Sequence, residues 1–120
     1  EERQVRSAAI QEATLYAAQV PLRTMKASLR VFELCRVMAE TGNPNSVSDA
    51  GVGALAARAA VLGAGLNVKI NAGSLKATKS NSLPPQTADM ATQLIDEADS
   101  LIKIANAEET AVMEIVNSKL

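Results

Sequence analysis

The sequence predicts an all-α protein built as an antiparallel bundle of about four helices. Apolar residues recur every three or four positions along most of the chain, and no stretch keeps the strict alternation of a β-strand. Hydrophobic residues make up 48% of the 120 residues, yet the only aromatic residues are Tyr16 and Phe32. The core must therefore consist of Ala, Leu, Val and Ile in closely packed helices. Because a chain of this length buries only about two thirds of its surface, we expect a partner to complete the bundle.

Two helices are predicted before residue 43. In the first, over residues 2–19, one face carries the apolar residues Val5, Ala9, Ala13, Tyr16 and Val20. Pro21 lacks a backbone N–H and is expected to kink or break the helix. The helical pattern then resumes up to Gly42, a natural stop, through Leu22, Met25, Leu29, Phe32 and Val37.

A turn and a third helix follow. The segment 43–47, "NPNSV", is typical of a turn because Asn and Pro favour turn conformations. Ser46 or Ser48 is the expected cap of a helix from about Asp49 to about Asn71.

The last helix is predicted over residues 88–117. Gly73 and the pair Pro84–Pro85 predict a loop before it, and Thr87 is a candidate N-cap. Its apolar stripe comprises Met90, Leu94, Leu101, Ile104 and Ala105, with Ile115 and Val116 further on.

The composition excludes several kinds of chemistry within this chain. With no histidine and a single cysteine, it can form no intrachain disulfide, no Cys/His metal site and no Ser-His-Asp or Cys-His dyad. Acid–base groups must be carboxylates, lysines, Tyr16 or residues of another polypeptide. Cys35, in a helical stretch, is either a buried reduced thiol or a reactive one.

The charge distribution is balanced overall but uneven along the chain. A net charge of −1 gives no indication of nucleic-acid or acidic-membrane binding. Cations dominate residues 1–36 and acids dominate residues 86–120, which predicts that the two ends pack together. No signal peptide and no run of 18 apolar residues is evident, so we expect a soluble cytoplasmic protein with no membrane partner.

The third predicted helix has unusually little bulk. Small residues recur on one face, at Gly53, Ala57, Ala60 and Ala64. They allow either tight helix–helix packing or the close approach of a ligand, at a helix-propensity cost of roughly 1 kcal/mol per glycine.

Three polar residues extend this face. Asp49 is either a capping residue or a ligand contact or base. Asn67 and Asn71, one turn apart, either satisfy backbone groups or bind a ligand together. Asp49 and Asn67 are five turns apart, about 27 Å, so both cannot touch one small ligand on an unbroken helix.

Three segments together resemble a known family: "AAQVPL" (17–22), "GNPNSVSDAGVGALAARAA" (42–60) and "GAGLNVKIN" (63–71). They are similar, in order and spacing, to the C-terminal family of formiminotransferase-cyclodeaminases, which includes methenyltetrahydrofolate cyclohydrolases. The resemblance covers residues 3–72. It implies an all-helical, dimeric or larger protein.

The resemblance also implies a reaction and a set of site residues. 5-Formimidoyltetrahydrofolate is cyclised to 5,10-methenyltetrahydrofolate with release of ammonia; the alternative is hydrolysis of the methenyl bridge by a cyclohydrolase. No metal and no cofactor beyond the tetrahydrofolate substrate is implied. Asp49 is the implied catalytic residue, orienting the pterin or the developing amidinium, and the implied substrate-binding residues are Asn43, Ser48, Asn67 and Asn71.

The chain lacks two features that the family has upstream of the matching region, namely a Pro-Gly-Gly-Gly-type segment and an aspartate-bearing helix. We therefore expect residues 1–120 to be part of a cyclodeaminase-like helical domain, partnered by an upstream half-domain or a formiminotransferase domain. A different class of function also remains open: a truncated, non-catalytic helical interaction module.

Overall fold

A computed structural model describes residues 1–77 and 85–120 as three long helices and one short 3₁₀ turn. Helix α1 runs over Glu2–Thr41, the 3₁₀ turn over Pro44–Ser46, α2 over Val47–Ala77 and α3 over Pro85–Lys119. None of these described residues forms a strand. The all-α prediction is confirmed, with three helices in place of about four.

Pro21 accounts for the difference in helix number, because the predicted break there is wrong. Helix α1 continues through Pro21 without interruption. A proline in a helix leaves the carbonyl four residues earlier without its donor, here the carbonyl of Ala17. The Asn71 side chain of α2 donates to that oxygen at 3.2 Å. A neighbouring helix thus replaces the hydrogen bond that Pro21 removes.

Two predicted helix boundaries are also wrong. Helix α2 passes through Gly73, which does not have the positive φ of a helix-ending glycine, and ends only at Ala77. Helix α3 begins at Pro85, where a missing N–H costs nothing, so Thr87 lies inside its first turn and is not its N-cap. Of the predicted loop, residues 78–84 lie outside the described part of the chain.

The core follows a seven-residue repeat in all three helices. The buried residues at this spacing are Ala18, Met25, Phe32 and Ala39 in α1, Ala54, Val61, Val68 and Leu75 in α2, and Ala91, Ala98, Ala105 and Val112 in α3. A sustained repeat of seven gives the packing of left-handed coiled coils. The face predicted over residues 2–19 is instead exposed, as Val5 and Tyr16 show. In α3, Met90 and Ile104 are exposed as well.

Glycines of α2 bring the helices unusually close together. A Cβ on Gly53 would lie 2.9 Å from the Cys35 sulfur of α1, and one on Gly65 would lie 2.9 Å from Ile102 Cδ1 of α3. The bundle is consequently a thin rod with Cα extents of 65 × 19 × 15 Å. Its radius of gyration is 18.8 Å, whereas a compact domain of this length has about 14 Å.

Ion pairs between the ends of the chain confirm the predicted charge complementarity. Lys26 of α1 lies 2.6 Å from Glu97 of α3, and Arg36 lies 2.5 Å from Glu108. Lys69 of α2 contacts Asp99 of α3 at 2.5 Å. These pairs are partly exposed, so each contributes about 1 kcal/mol or less and mainly fixes which faces meet.

One stretch, Pro44–Ala77, is long and apolar enough to span a membrane, and the mean hydropathy of its most apolar 18 residues is 1.4. A third of those residues are buried inside the bundle. The core helices of soluble proteins can be equally long and apolar. The absence of a membrane partner stays a prediction.

Candidate functional site

A groove lies where the end of α1 meets the start of α2. It encloses about 280 Å³ and is lined by Leu34, Cys35 and Met38 of α1 and by Ser46, Asp49 and Ala50 around the start of α2. The two helices are antiparallel and joined by a short turn, so the last turns of α1 lie beside the first turn of α2. The groove is therefore mainly apolar and has one carboxylate, that of Asp49, at its edge.

Asp49 owes its position to the helix start. It lies in the first turn of α2, where the partial positive charge of the helix N-terminus favours a carboxylate. Its side chain is exposed and is directed toward the groove rather than into the core. The hydrogen bonds of the turn do not include the Ser46–Asp49 capping box expected from the sequence. The side chain of Asn43 caps the turn instead.

Asn43 and Ser48 flank the groove without lining it. The Asn43 side-chain oxygen accepts from the backbone N–H of Asn45 at 3.0 Å and so holds the 3₁₀ turn. The Ser46 N–H also donates to the Asn43 carbonyl, at 2.9 Å. Ser48 is exposed. Among the five predicted site residues, Asp49 alone lines the groove.

Asn67 and Asn71 lie at the other end of α2. On this unbroken helix their heights differ from that of Asp49 by about 27 Å for Asn67 and about 33 Å for Asn71. Asn67 donates to the carbonyl of Gly63 at 3.4 Å, and Asn71 donates to those of Asn67 and Ala17 at 2.9 and 3.2 Å. The structure thus confirms that both asparagines satisfy backbone groups, while their role in binding substrate stays a prediction.

The face of small residues has two parts. Ala57 and Ala64 are buried in the core, Gly53 packs against Cys35, and Ala60 is exposed. Tight helix packing therefore explains why the residue is small at three of the four positions.

Cys35 is a free, buried thiol, as one of the two sequence interpretations proposed. Burial raises the pKa of the Cys35 thiol, so it remains protonated at neutral pH. Since the thiolate is the nucleophile, Cys35 contributes an apolar wall to the groove rather than a nucleophile.

The groove suits an organic cation with an apolar body. Its wall of Leu34 and Met38, 66% and 55% exposed, offers contact area to a flat ring, and the Asp49 carboxylate can stabilise positive charge beside that ring. Among residues 1–77 and 85–120 there is no group of three or more His, Cys, Asp or Glu residues able to hold a metal ion.

Sequence reasoning missed four lining residues, namely Leu34, Cys35, Met38 and Ser46. Leu34 and Met38 are one turn apart and lie at the end of the helix that precedes the Asp49 turn. This spacing just before a tight helix–helix turn was the available signal, because such a turn makes the flanking helices antiparallel neighbours.

The described residues thus form an all-α bundle with one carboxylate at the edge of a mainly apolar groove. Comparison with known proteins identifies the family of the chain. The profile of the family described as Formiminotransferase-cyclodeaminase matches residues 1–89. The chain belongs to this family.

Two curated relatives show the extent of the similarity. The chain is 36% identical over 120 residues, its full length, to a methenyltetrahydrofolate cyclohydrolase of Methylorubrum extorquens, of which it covers 53%. It is 35% identical over 98 residues, 82% of its length, to a formimidoyltransferase-cyclodeaminase of Gallus gallus, of which it covers 18%. The chain thus spans about half of the first relative and a smaller part of the second.

Proposed function

We propose that this chain carries a folate site that acts on the methenyl bridge of 5,10-methenyltetrahydrofolate, hydrolysing it as a cyclohydrolase. The observation that carries the proposal is the Asp49 groove in a chain that aligns along its whole length with a protein named methenyltetrahydrofolate cyclohydrolase. The sequence alone favoured cyclodeamination. The longer alignment now supports hydrolysis as the first candidate.

The chemistry explains why one carboxylate beside an apolar wall is useful. The methenyl carbon lies between two nitrogens and shares their positive charge. Water adds to this carbon and loses one proton to solvent; the remaining hydroxyl proton then passes to the nitrogen whose bond to the carbon breaks, which leaves a formyl group on the other nitrogen. Asp49 stabilises the bound cation and orients the attacking water, while Leu34 and Met38 contact the face of the ring system.

The second candidate is cyclodeamination of 5-formimidoyltetrahydrofolate. The family description and the name of the Gallus gallus relative support it. In that reaction N10 attacks the formimidoyl carbon and ammonia leaves, so the same methenyl cation is the product. Both reactions place a one-carbon cation beside Asp49 and require no metal or redox cofactor. The folate substrate and the reduced Cys35 both fit a cytoplasmic location.

The proposal is tested by following the ultraviolet absorbance of the methenyl bridge. Hydrolysis removes this absorbance from added 5,10-methenyltetrahydrofolate, whereas cyclodeamination generates it from 5-formimidoyltetrahydrofolate. We expect Asp49→Asn, which keeps size but removes charge, to lower kcat/KM about 100-fold. Asp96→Asn, a matched change at an exposed acid of α3, should leave kcat/KM within about twofold.

Two results would contradict this function. Wild-type turnover by Asp49→Asn would reduce Asp49 to a helix-start residue. No turnover of either substrate by the wild-type chain would favour the non-catalytic interaction module, or a site that needs an upstream half-domain or a formiminotransferase domain.

A further inference from the structure

A second groove continues the Asp49 groove along the surface of α1. It encloses about 300 Å³ and is lined by exposed residues of α1: Ala27, Arg30, Val31, Glu33 and Leu34. Leu34 lines both grooves, so the two form one continuous surface. We call the second groove the Arg30 groove. A ligand whose head lies beside Asp49 can therefore extend along α1 toward Arg30.

Arg30 is the only cation among the residues that line these two grooves. Its guanidinium has no hydrogen bond or ion pair with any other residue of the described ranges, 1–77 and 85–120. By contrast, Arg36, further along α1, is held by Glu108 of α3. The N–H donors of Arg30 are therefore available to a ligand in the groove.

The substrate of the proposed function carries its anions far from the methenyl bridge. A folate ends in a glutamate, whose two carboxylates are joined to N10 through a benzoyl ring and one amide bond. Ordinary bond lengths place these carboxylates about 10 Å from N10. One folate molecule thus presents a cationic bridge, a flat apolar ring and a dianionic end, in that order.

The groove surface offers complementary groups in the same order. In the proposed function Asp49 lies beside the cationic bridge, and Leu34 and Val31, 66% and 36% exposed, present an apolar wall along α1. Arg30 lies one turn beyond Leu34 and about 12 Å from Met38 along the helix axis. An arginine at this distance reaches the carboxylates of a folate whose bridge is beside Asp49.

We propose that Arg30 binds the glutamate carboxylates of the folate substrate and so selects folates over analogues that lack the glutamate. A guanidinium forms two parallel hydrogen bonds with a carboxylate, which the compact charge of a lysine does not match. The inference rests on the proposed function, because it takes the methenyl bridge to lie beside Asp49. It adds a residue that determines specificity at a distance from the reacting carbon.

Glu33 gives the Arg30 groove a second charge, of the opposite sign. It lines the groove one turn from Arg30, and the ion pairs of the described residues include neither side chain. Its carboxylate repels the glutamate of a folate and attracts the same guanidinium. Loss of the Glu33 charge should therefore strengthen folate binding, whereas loss of the Arg30 charge should weaken it.

Isothermal titration calorimetry with two ligands that cannot turn over tests the contact. Tetrahydrofolate and tetrahydropteroate differ only by the glutamate, and neither carries the one-carbon group. Wild type should bind tetrahydrofolate about tenfold more tightly than tetrahydropteroate. Arg30→Gln should raise the Kd for tetrahydrofolate about tenfold and change that for tetrahydropteroate less than about twofold. Arg30→Lys, which keeps the charge but loses the planar fork, should raise the Kd for tetrahydrofolate about threefold.

Two further variants separate this contact from a general effect of charge. Arg23→Gln removes the same charge from an exposed position of α1 outside both grooves, and should leave both Kd values within about twofold. Glu33→Gln should lower the Kd for tetrahydrofolate about twofold and leave the Kd for tetrahydropteroate unchanged. Because all three positions are exposed, the variants should fold as the wild type does.

The outcomes for this contact and for the proposed function are distinguishable. Equal Kd values of the two ligands for the wild type would overturn the contact, even in a chain that turns over its substrate. Equal effects of Arg23→Gln and Arg30→Gln would also overturn it. A tenfold preference that Arg30→Gln abolishes, in a chain without turnover, would support the contact and contradict the proposed function. Binding of neither ligand would overturn both.

Discussion

At the residue scale, the contact between Asn71 and Pro21 shows how a long-range hydrogen bond overrides a local rule. Pro21 removes the donor for the Ala17 carbonyl, and Asn71 of α2 replaces it at 3.2 Å while also donating to the Asn67 carbonyl. Because Asn71 is 54 residues from Ala17 in sequence, no local pattern around Pro21 indicates this partner.

A double-mutant cycle tests the role of Asn71. Asn71→Ala should lower the free energy of unfolding by about 1–2 kcal/mol, because it leaves the Ala17 carbonyl without a donor. In a Pro21→Ala background the new N–H of residue 21 bonds that carbonyl, so the same change should cost about 0.5 kcal/mol. Urea unfolding measures both values. Equal costs in the two backgrounds would show that Asn71 does not compensate for Pro21.

At the element scale, the end of α1 is held by the end of α3. The Lys119 ammonium donates to the carbonyls of Ala39 and Glu40, both at 2.7 Å, and the Gly42 N–H closes the last turn on Met38. The last four carbonyls of a helix lack intrahelical donors, and a cation there also interacts favourably with the helix dipole. Lys119 therefore fixes the end of α1 next to the groove.

Removing this cap should be measurable. Lys119→Met keeps the apolar stem and loses the charge, and we expect it to lower the free energy of unfolding by about 0.5–1.5 kcal/mol. Lys103→Met, at an exposed lysine of α3, is the control and should change stability by less than about 0.5 kcal/mol. Thermal unfolding of the two variants side by side decides the point: if they melt together, Lys119 has no capping role.

Element boundaries were predictable only where the local chemistry was decisive. The turn at residues 43–46 was recognised because Asn and Pro determine its conformation, and Asn43 indeed holds it. Gly73 was misread as a helix end because a glycine ends a helix where it adopts a positive φ, whereas Gly73 does not and lies inside α2. The α1 core face was misassigned over residues 2–19, since alanines there give no contrast between buried and exposed sides.

At the scale of the whole molecule, small core residues set the thickness of the bundle. The sequence predicted close helix packing from the shortage of aromatic side chains, and the rod is 15–19 Å across by its Cα atoms. The seven-residue repeat that organises this packing lies partly on alanines, which are also abundant outside the core. Composition therefore predicted the closeness of the helices but not which alanines are buried.

Because the helices are packed closely, enlarging a core alanine should lower the free energy of unfolding. Ala98 is fully buried in α3, and Ala98→Leu should lower the free energy of unfolding by about 1–3 kcal/mol because the added carbons push the helices apart. Ala107→Leu makes the same change at an exposed position of α3 and should shift stability by less than about 0.5 kcal/mol. Chemical denaturation compares them. A tolerated leucine at position 98 would mean that the helices can separate at little cost.

The candidate site was predictable in part for a physical reason. Asp49 could be identified because its place in a helix start and its resemblance to the family agree, whereas Leu34 and Met38 belong to the groove only through the antiparallel packing of α1 on α2. Asn67 and Asn71 share a helical face with Asp49, but an unbroken helix keeps them about 27 Å and about 33 Å away.

Folate binding in the Asp49 groove is tested most directly by NMR of ¹³C-methyl-methionine. The chain has four methionines, and only Met38 lines the groove, while Met25 is buried in the core. On addition of 5,10-methenyltetrahydrofolate, the Met38 methyl signal should shift, those of Met25, Met90 and Met113 should not, and Asp49→Asn should weaken the titration about tenfold. An unmoved Met38 signal under conditions of turnover, or a shift confined to the other methionines, would place the folate site elsewhere.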